Sequence, residues 1–166
     1  MATDLALINH YVPLVAPVDK GNNTWSTGWL DLKDAENCMF VAQFGVLTAT
    51  ATTVTLTVTM TAASSAATTG GGTFAYNYRI SAAVGTDTLG AVTAVAKTGM
   101  TLTTTSDAMT VFIDVPPSIV CATPTTGQGR YVRMTVTKST TYQVQLASVM
   151  AILKPRHAGT TMVAAE

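Results

Sequence analysis

The stretch Thr52-Thr53-Val54-Thr55-Leu56-Thr57-Val58-Thr59-Met60-Thr61 decides the fold. Val54, Leu56, Val58 and Met60 alternate with threonines, and a period of two puts every apolar side chain on one face of an extended strand. The β-branched residues favour a pleated strand and disfavour a helix. The same alternation recurs along the chain. Cys38, Phe40, Ala42, Phe44 and Val46 share a face, as do Phe74, Tyr76, Tyr78 and Ile80. Met109, Val111, Ile113 and Val115 repeat it, followed by Val132, Met134 and Val136. The last run, residues 142–153, is read with Tyr142, Val144, Leu146, Met150 and Ile152 on one face. Weaker strands are expected over residues 28–33, 91–96 and 100–104.

Turn residues punctuate these runs. Gly70-Gly71-Gly72, Gly85-Thr86-Asp87 and Lys97-Thr98-Gly99 read as hairpin tips, and residues 116–129 as a longer irregular loop. About eight or nine short strands with no convincing helix predict an antiparallel β-sandwich, jelly-roll-like in type. Its expected core is Phe40, Phe44, Val54, Leu56, Val58, Tyr78, Ile80, Val111, Ile113, Val132, Val136, Val144, Leu146 and Ile152. Residues 1–20 read as an extended arm with Pro13 and Pro17 and one helical turn over 4–11. Residues 21–155 form the sandwich, and 156–166 read as an aperiodic tail.

A length of 166 residues suits one domain with a real core. Charged residues make up 11% of the chain, against about 25% in an average globular protein, and threonine (32) and alanine (24) fill a third of it. Nine cations balance nine carboxylates, which excludes a strongly basic nucleic-acid binder. So little charge favours association, and a homo-oligomer is expected. Met1-Ala2-Thr3-Asp4 opens without a cation and no apolar run approaches a membrane span, so neither signal peptide nor membrane partner is expected. Cys38 and Cys121 lack metal-ligand spacing and read as free thiols of a reducing cytoplasm.

Catalytic signals are sparse. His10 and His157 sit in the two ends, and no nucleophile elbow, phosphate loop or dinucleotide fingerprint occurs. No enzyme activity, cofactor or resident metal is expected. Asp31, Asp34 and Glu36 read as a turn between strands, with a weak calcium site as the alternative. Trp25 and Trp29 fit the closed end of a sandwich or an interface anchor, with a carbohydrate platform as the alternative. Arg79 and Arg133 lie mid-strand and call for specific partners, such as Asp114 or Asp87, or for an interface. Leu5, Leu7, Ile8, Tyr11, Val12, Leu14 and Val15 are too apolar for a solvated arm. They predict docking on a neighbouring subunit or on a partner protein, with Lys154, Arg156 and His157 adding a weak electrostatic contact. The candidate interface set is therefore Leu5, Ile8, Tyr11, Val12, Leu14, Trp25, Trp29, Arg79, Arg133 and Arg156.

Five segments carry a resemblance. They are residues 74–81 (FAYNYRIS), 84–94 (VGTDTLGAVTA), 111–115 (VFIDV), 130–133 (RYVR) and 151–156 (AILKPR). Over about residues 31–156 the chain resembles a group of small structural proteins of tailed bacteriophages and prophages, similar to head decoration (cement) or other auxiliary virion proteins. Members often carry an acidic Asp-Pro-Ala-Asp-type stretch before the arginine-tyrosine strand, whereas residues 116–129 here contain no carboxylate. The resemblance implies a non-enzymatic virion component, made in the bacterial host cytoplasm, that partners the major capsid protein and stiffens the head. A tail-tube, fibre or head–tail connector role and a carbohydrate-binding β-sandwich module are the alternatives.

Overall fold

The computed structural model describes residues 9–21, 23–45, 48–49, 55–66, 71–81, 86, 88–103, 109–123, 127–138, 142–144 and 146–156. The strands are β1 (His10–Asp19), β2 (Trp25–Ser26), β3 (Leu30–Asp31), β4 (Ala35–Phe44), β5 (Thr48–Ala49), β6 (Leu56–Ala63), β7 (Gly72–Phe74), β8 (Tyr76–Ile80), β9 (Thr93–Val95), β10 (Met100–Leu102), β11 (Thr110–Asp114), β12 (Tyr131–Lys138), β13 (Tyr142–Val144) and β14 (Leu146–Pro155). The first sheet has the order β1-β14-β4-β11-β8-β9. The second has the order β10-β6-β12-β2, with β3 also on β12 and β7 also on β6. All pairings are antiparallel, β5 and β13 make a separate small pair, and the two large sheets pack into a β-sandwich. The expected loop over 116–129 contains instead a short helix, α1 (Pro117–Ala122), which buries Val120. Pro117 opens it at no cost, because its missing N–H would have had no helical partner.

The alternation builds the core as the sequence predicts in most strands. β6 sends Leu56, Val58 and Met60 inward, β12 sends Val132, Met134 and Val136, and β4 sends Cys38, Phe40, Ala42 and Phe44. Tyr78 and Ile80 are half-buried against this core. Val54 lies outside the described residues, as does the side chain of Val144. β14 reverses the expected face. Ala147, Val149, Ala151 and Leu153 point inward, while Leu146 is 51% exposed, Met150 is exposed and Ile152 is half-buried on the outside. The register with β4 explains the reversal. Phe40 lies opposite Ala151, Phe44 opposite Ala147, and Ala42 opposite Val149. Directly opposed side chains stand only about 5 Å apart, and with Ile113 already opposite Phe40 on the β11 side, the β14 side of the ring is filled by a small residue. The alternative face would set Met150 and Ile152 into the space the phenylalanines occupy.

Three further expectations are corrected by topology. The run 74–81 is split at Ala75: β7 pairs with β6 in the second sheet, and β8 pairs with β11 in the first. Phe74 and Tyr76 both remain buried, because the chain changes sheet without changing which side meets the core. Over residues 10–19 the expected free arm is the edge strand β1, paired with β14, with Val12, Leu14 and Val15 packed on the core. Lys97-Thr98-Gly99 is not a hairpin tip but the turn between β9 of the first sheet and β10 of the second. Gly99 there has φ +93, and a Cβ would stand 2.4 Å from the Val58 carbonyl, so only glycine passes.

Tyr76 ties the layers together. From the first sheet its hydroxyl donates to the Val58 carbonyl (2.5 Å) and accepts from the Met100 N–H (3.1 Å), both in the second sheet. Burial pushes the phenol up from 10.0 to about 12, with the Met100 hydrogen bond acting the other way. Burial likewise pushes the Cys38 thiol up.

Ala151→Leu should lower stability by about 1–3 kcal/mol through overpacking against Phe40, whereas Ile152→Val should cost less than about 1 kcal/mol. Urea midpoints measure both, and equal costs would contradict the facing assigned to β14. Tyr76→Phe should cost about 1–3 kcal/mol by orphaning the Met100 N–H. Because Tyr76 and Cys38 hold their protons more tightly when folded, the stability they contribute is complete below about pH 8 and is lost as pH rises toward 12. The phenol's share is about 2–3 kcal/mol, and Tyr76→Phe should remove that part of the alkaline decline. A pH-independent urea midpoint between pH 8 and 12 would contradict it.

Candidate functional site

The two outer faces differ in chemistry. On the second sheet, Thr57, Thr59 and Thr61 of β6 lie beside Arg133, Thr135 and Thr137 of β12, all at least partly accessible. Ser26 and Thr135 share a hydroxyl hydrogen bond of 2.8 Å across β2 and β12. This hydroxyl-rich face suits water.

On the first sheet the outer face is apolar. Pairing registers align two rows across five strands, β1, β14, β4, β11 and β8. One row is Tyr11, Ile152, Met39, Asp114 and Asn77; the next is Pro13, Met150, Val41, Phe112 and Arg79. Tyr11 and Met150 are 45% and 39% exposed, Pro13 is exposed, and Met39, Val41, Phe112 and Ile152 are half-buried. A groove of about 410 Å³ runs along one side of the rows, between Pro13, Val15, Pro17, Val41 and Met150. Apolar side chains grouped over this many strands mark a surface that meets something other than water. Arg79 and Asp114 close the band at its β8 and β11 end. Both are exposed, they sit diagonally on neighbouring strands, and neither is in an ion pair among the described residues.

The residues flagged in the sequence separate into two groups. Tyr11 and Arg79 lie on this face. Val12 and Leu14 turn toward the core, and Leu5 and Ile8 lie outside the described residues, as do Asp87 and His157. Trp25 and Trp29 are buried, at 8% and 6% exposure, so neither ring offers the open face that carbohydrate stacking or interface anchoring needs. Trp25 belongs to the core, with the Lys20 ammonium 5.3 Å from its ring centre. The Arg133 guanidinium stacks on Trp29 at 4.4 Å, a cation–π contact in place of the expected carboxylate partner. Thr27, buried between the two tryptophans, takes up the backbone of β12: its hydroxyl accepts from the Met134 N–H at 3.1 Å.

Several other charges are used within the chain. Asp31 accepts a bidentate pair from Arg130, including 2.7 Å from Nε, and a bond from the Lys33 N–H. Partial burial pushes the Asp31 carboxyl up, but the Arg130 hydrogen bond, the Lys33 N–H and both cations outweigh it and hold it below its ordinary value. Glu36 pairs with Lys154 at 3.0 Å. Arg156 donates from Nε to the Ala35 carbonyl and from its N–H to the Asp34 carbonyl. The carboxylates of Asp31 and Glu36 are thus paired with cations, and no group of three metal-ligating side chains occurs among the described residues. Arg156 and Lys154 fasten the end of β14, and both residues remain exposed.

Period-two counting misses Met39, Val41, Phe112, Met150 and Ile152 as surface residues, although the sequence carries a signal for them. Residues 38–42, 111–113 and 149–153 are unbroken apolar runs. A strand apolar on both faces is covered on both faces. β4, β11 and β14 are adjacent in the sheet, so their second faces merge into one band.

Compared with known proteins, the chain matches no family model, no curated protein and no solved structure.

Proposed function

We propose that this chain is a non-enzymatic structural subunit of a tailed-phage virion, a decoration (cement) protein that works as an assembly of copies on the head surface. The observation that carries this reading is the apolar outer face of the first sheet, in a chain with 11% charged residues. A lone subunit in water would leave that band exposed, whereas a subunit of a shell has a neighbour to bury it. The resemblance over residues 31–156 to decoration and auxiliary virion proteins supplies the virion context, and with it the major capsid protein as the surface bound.

The test is co-sedimentation of the purified protein with heads that lack it. The reading predicts saturable uptake at a copy number in simple proportion to the capsid protein, and heads that survive higher temperature once coated. Protein that stays in the supernatant at every concentration, with head stability unchanged, would overturn it.

A further inference from the structure

We propose that the outer face of the first sheet is a two-fold interface between two copies of this chain, with Arg79 of each copy set against Asp114 of the other. The inference rests on reading the chain as an assembly subunit and names the partner of that face. Three observations lead to it. The apolar band covers the second faces of β14, β4 and β11, the middle of the sheet, so the missing layer belongs over the centre and not at an edge. The β1 edge is closed to strand addition: Pro13 and Pro17 bring no N–H, and two register shifts bend the strand. The band also ends in one cation and one carboxylate, both exposed and both outside any ion pair among the described residues.

The rows fix the geometry. A two-fold axis in the plane of the interface, perpendicular to the strands and midway between the rows, lays each row on the other row of the second copy. Tyr11 then meets Pro13, Ile152 meets Met150, and Met39 meets Val41, so apolar side chains meet apolar ones. Arg79 falls opposite Asn77, one strand spacing of about 4.8 Å from Asp114 of the other copy. Symmetry forms this charge contact twice. Sheets stacked face to face stand about 10 Å apart, which leaves room for both side-chain layers. By the same operation Asp114 falls opposite Phe112, one strand from Arg79 of the other copy. A partner surface of single charge would complement only one of the two charges; a second copy supplies both signs.

Sedimentation velocity without heads tests the pairing apart from head binding, so a failure of one reading is distinguishable from a failure of the other. The native chain should be a dimer or a multiple of one. Arg79→Asp and Asp114→Arg, each alone, make both symmetry-related contacts like-charged and should weaken pairing by about tenfold or more. Mixed in equal amounts, the two variants restore both contacts with opposite charges and should pair again with nearly native affinity. Both positions are exposed, so the variants should keep the native circular dichroism spectrum and unfolding temperature. Met150→Glu, at the centre of the band, should give a folded monomer and serves as the test if a charge variant fails to fold. A native chain that stays monomeric overturns the proposal. So do charge variants that pair like the native chain, a mixture that remains monomeric, or a Met150→Glu chain that still dimerises.

Discussion

The packing of two phenylalanines against two alanines governs this sandwich. Phe40 and Phe44 of β4 fill the space between the sheets, and the register with β14 places Ala151 and Ala147 beside them. Phe40 already has Ile113 directly opposite it on β11, and a dense interior takes a small residue, Ala151, on its other side. Once β14 presents its alanines inward, its period of two forces Met150 and Ile152 outward. They join Met39 and Val41 of β4 and Phe112 of β11, and the apolar outer band follows from a core constraint. The surface that supports the functional reading is the reverse side of the best-packed part of the core.

The other layer is held to this one by specific contacts as well as by shape. Tyr76 reaches across the core to a carbonyl and an N–H of the second sheet, so the sheets cannot slide without breaking two buried hydrogen bonds. Gly99 fixes the crossing from β9 to β10 by lying against the Val58 carbonyl, the same group that receives the Tyr76 proton. Trp25, Thr27 and Leu30 lay the short strands β2 and β3 along β12, and the Arg130–Asp31 pair fastens their far end. The outer face of the second sheet carries threonine where the first carries apolar side chains. The molecule therefore has one side suited to water and one suited to a partner.

The class of fold was legible in the sequence because alternation sorts residues by polarity, and β6 and β12 are sorted cleanly. β14 was not legible in the same way, because Leu146, Met150 and Ile152 are larger than the alanines between them and period-two counting takes the larger set as the core. Only the cross-strand partner decides between the faces, and partners distant in sequence are invisible to periodicity. For the same reason residues 74–81 read as one strand although they serve two sheets, and residues 10–19 read as an arm although they pair with the end of the chain. For the tryptophans the sequence left the closed end of a sandwich and an interface anchor both open; the short strands around them fold back over β12 and bury them. The site was partly legible: Tyr11 and Arg79 are on it, and the unbroken apolar runs at 38–42, 111–113 and 149–153 mark its middle.

The facing of β14 is the claim on which both the core and the outer band depend, and thiol accessibility measures it directly. Single cysteines at positions 147 to 152, in a chain carrying Cys121→Ser and Asp114→Arg so that neither a native accessible thiol nor a second copy interferes, would be exposed to a thiol reagent under native conditions. The account predicts rapid labelling at 148, 150 and 152 and protection at 147, 149 and 151. The opposite alternation, or uniform labelling along the strand, would contradict it.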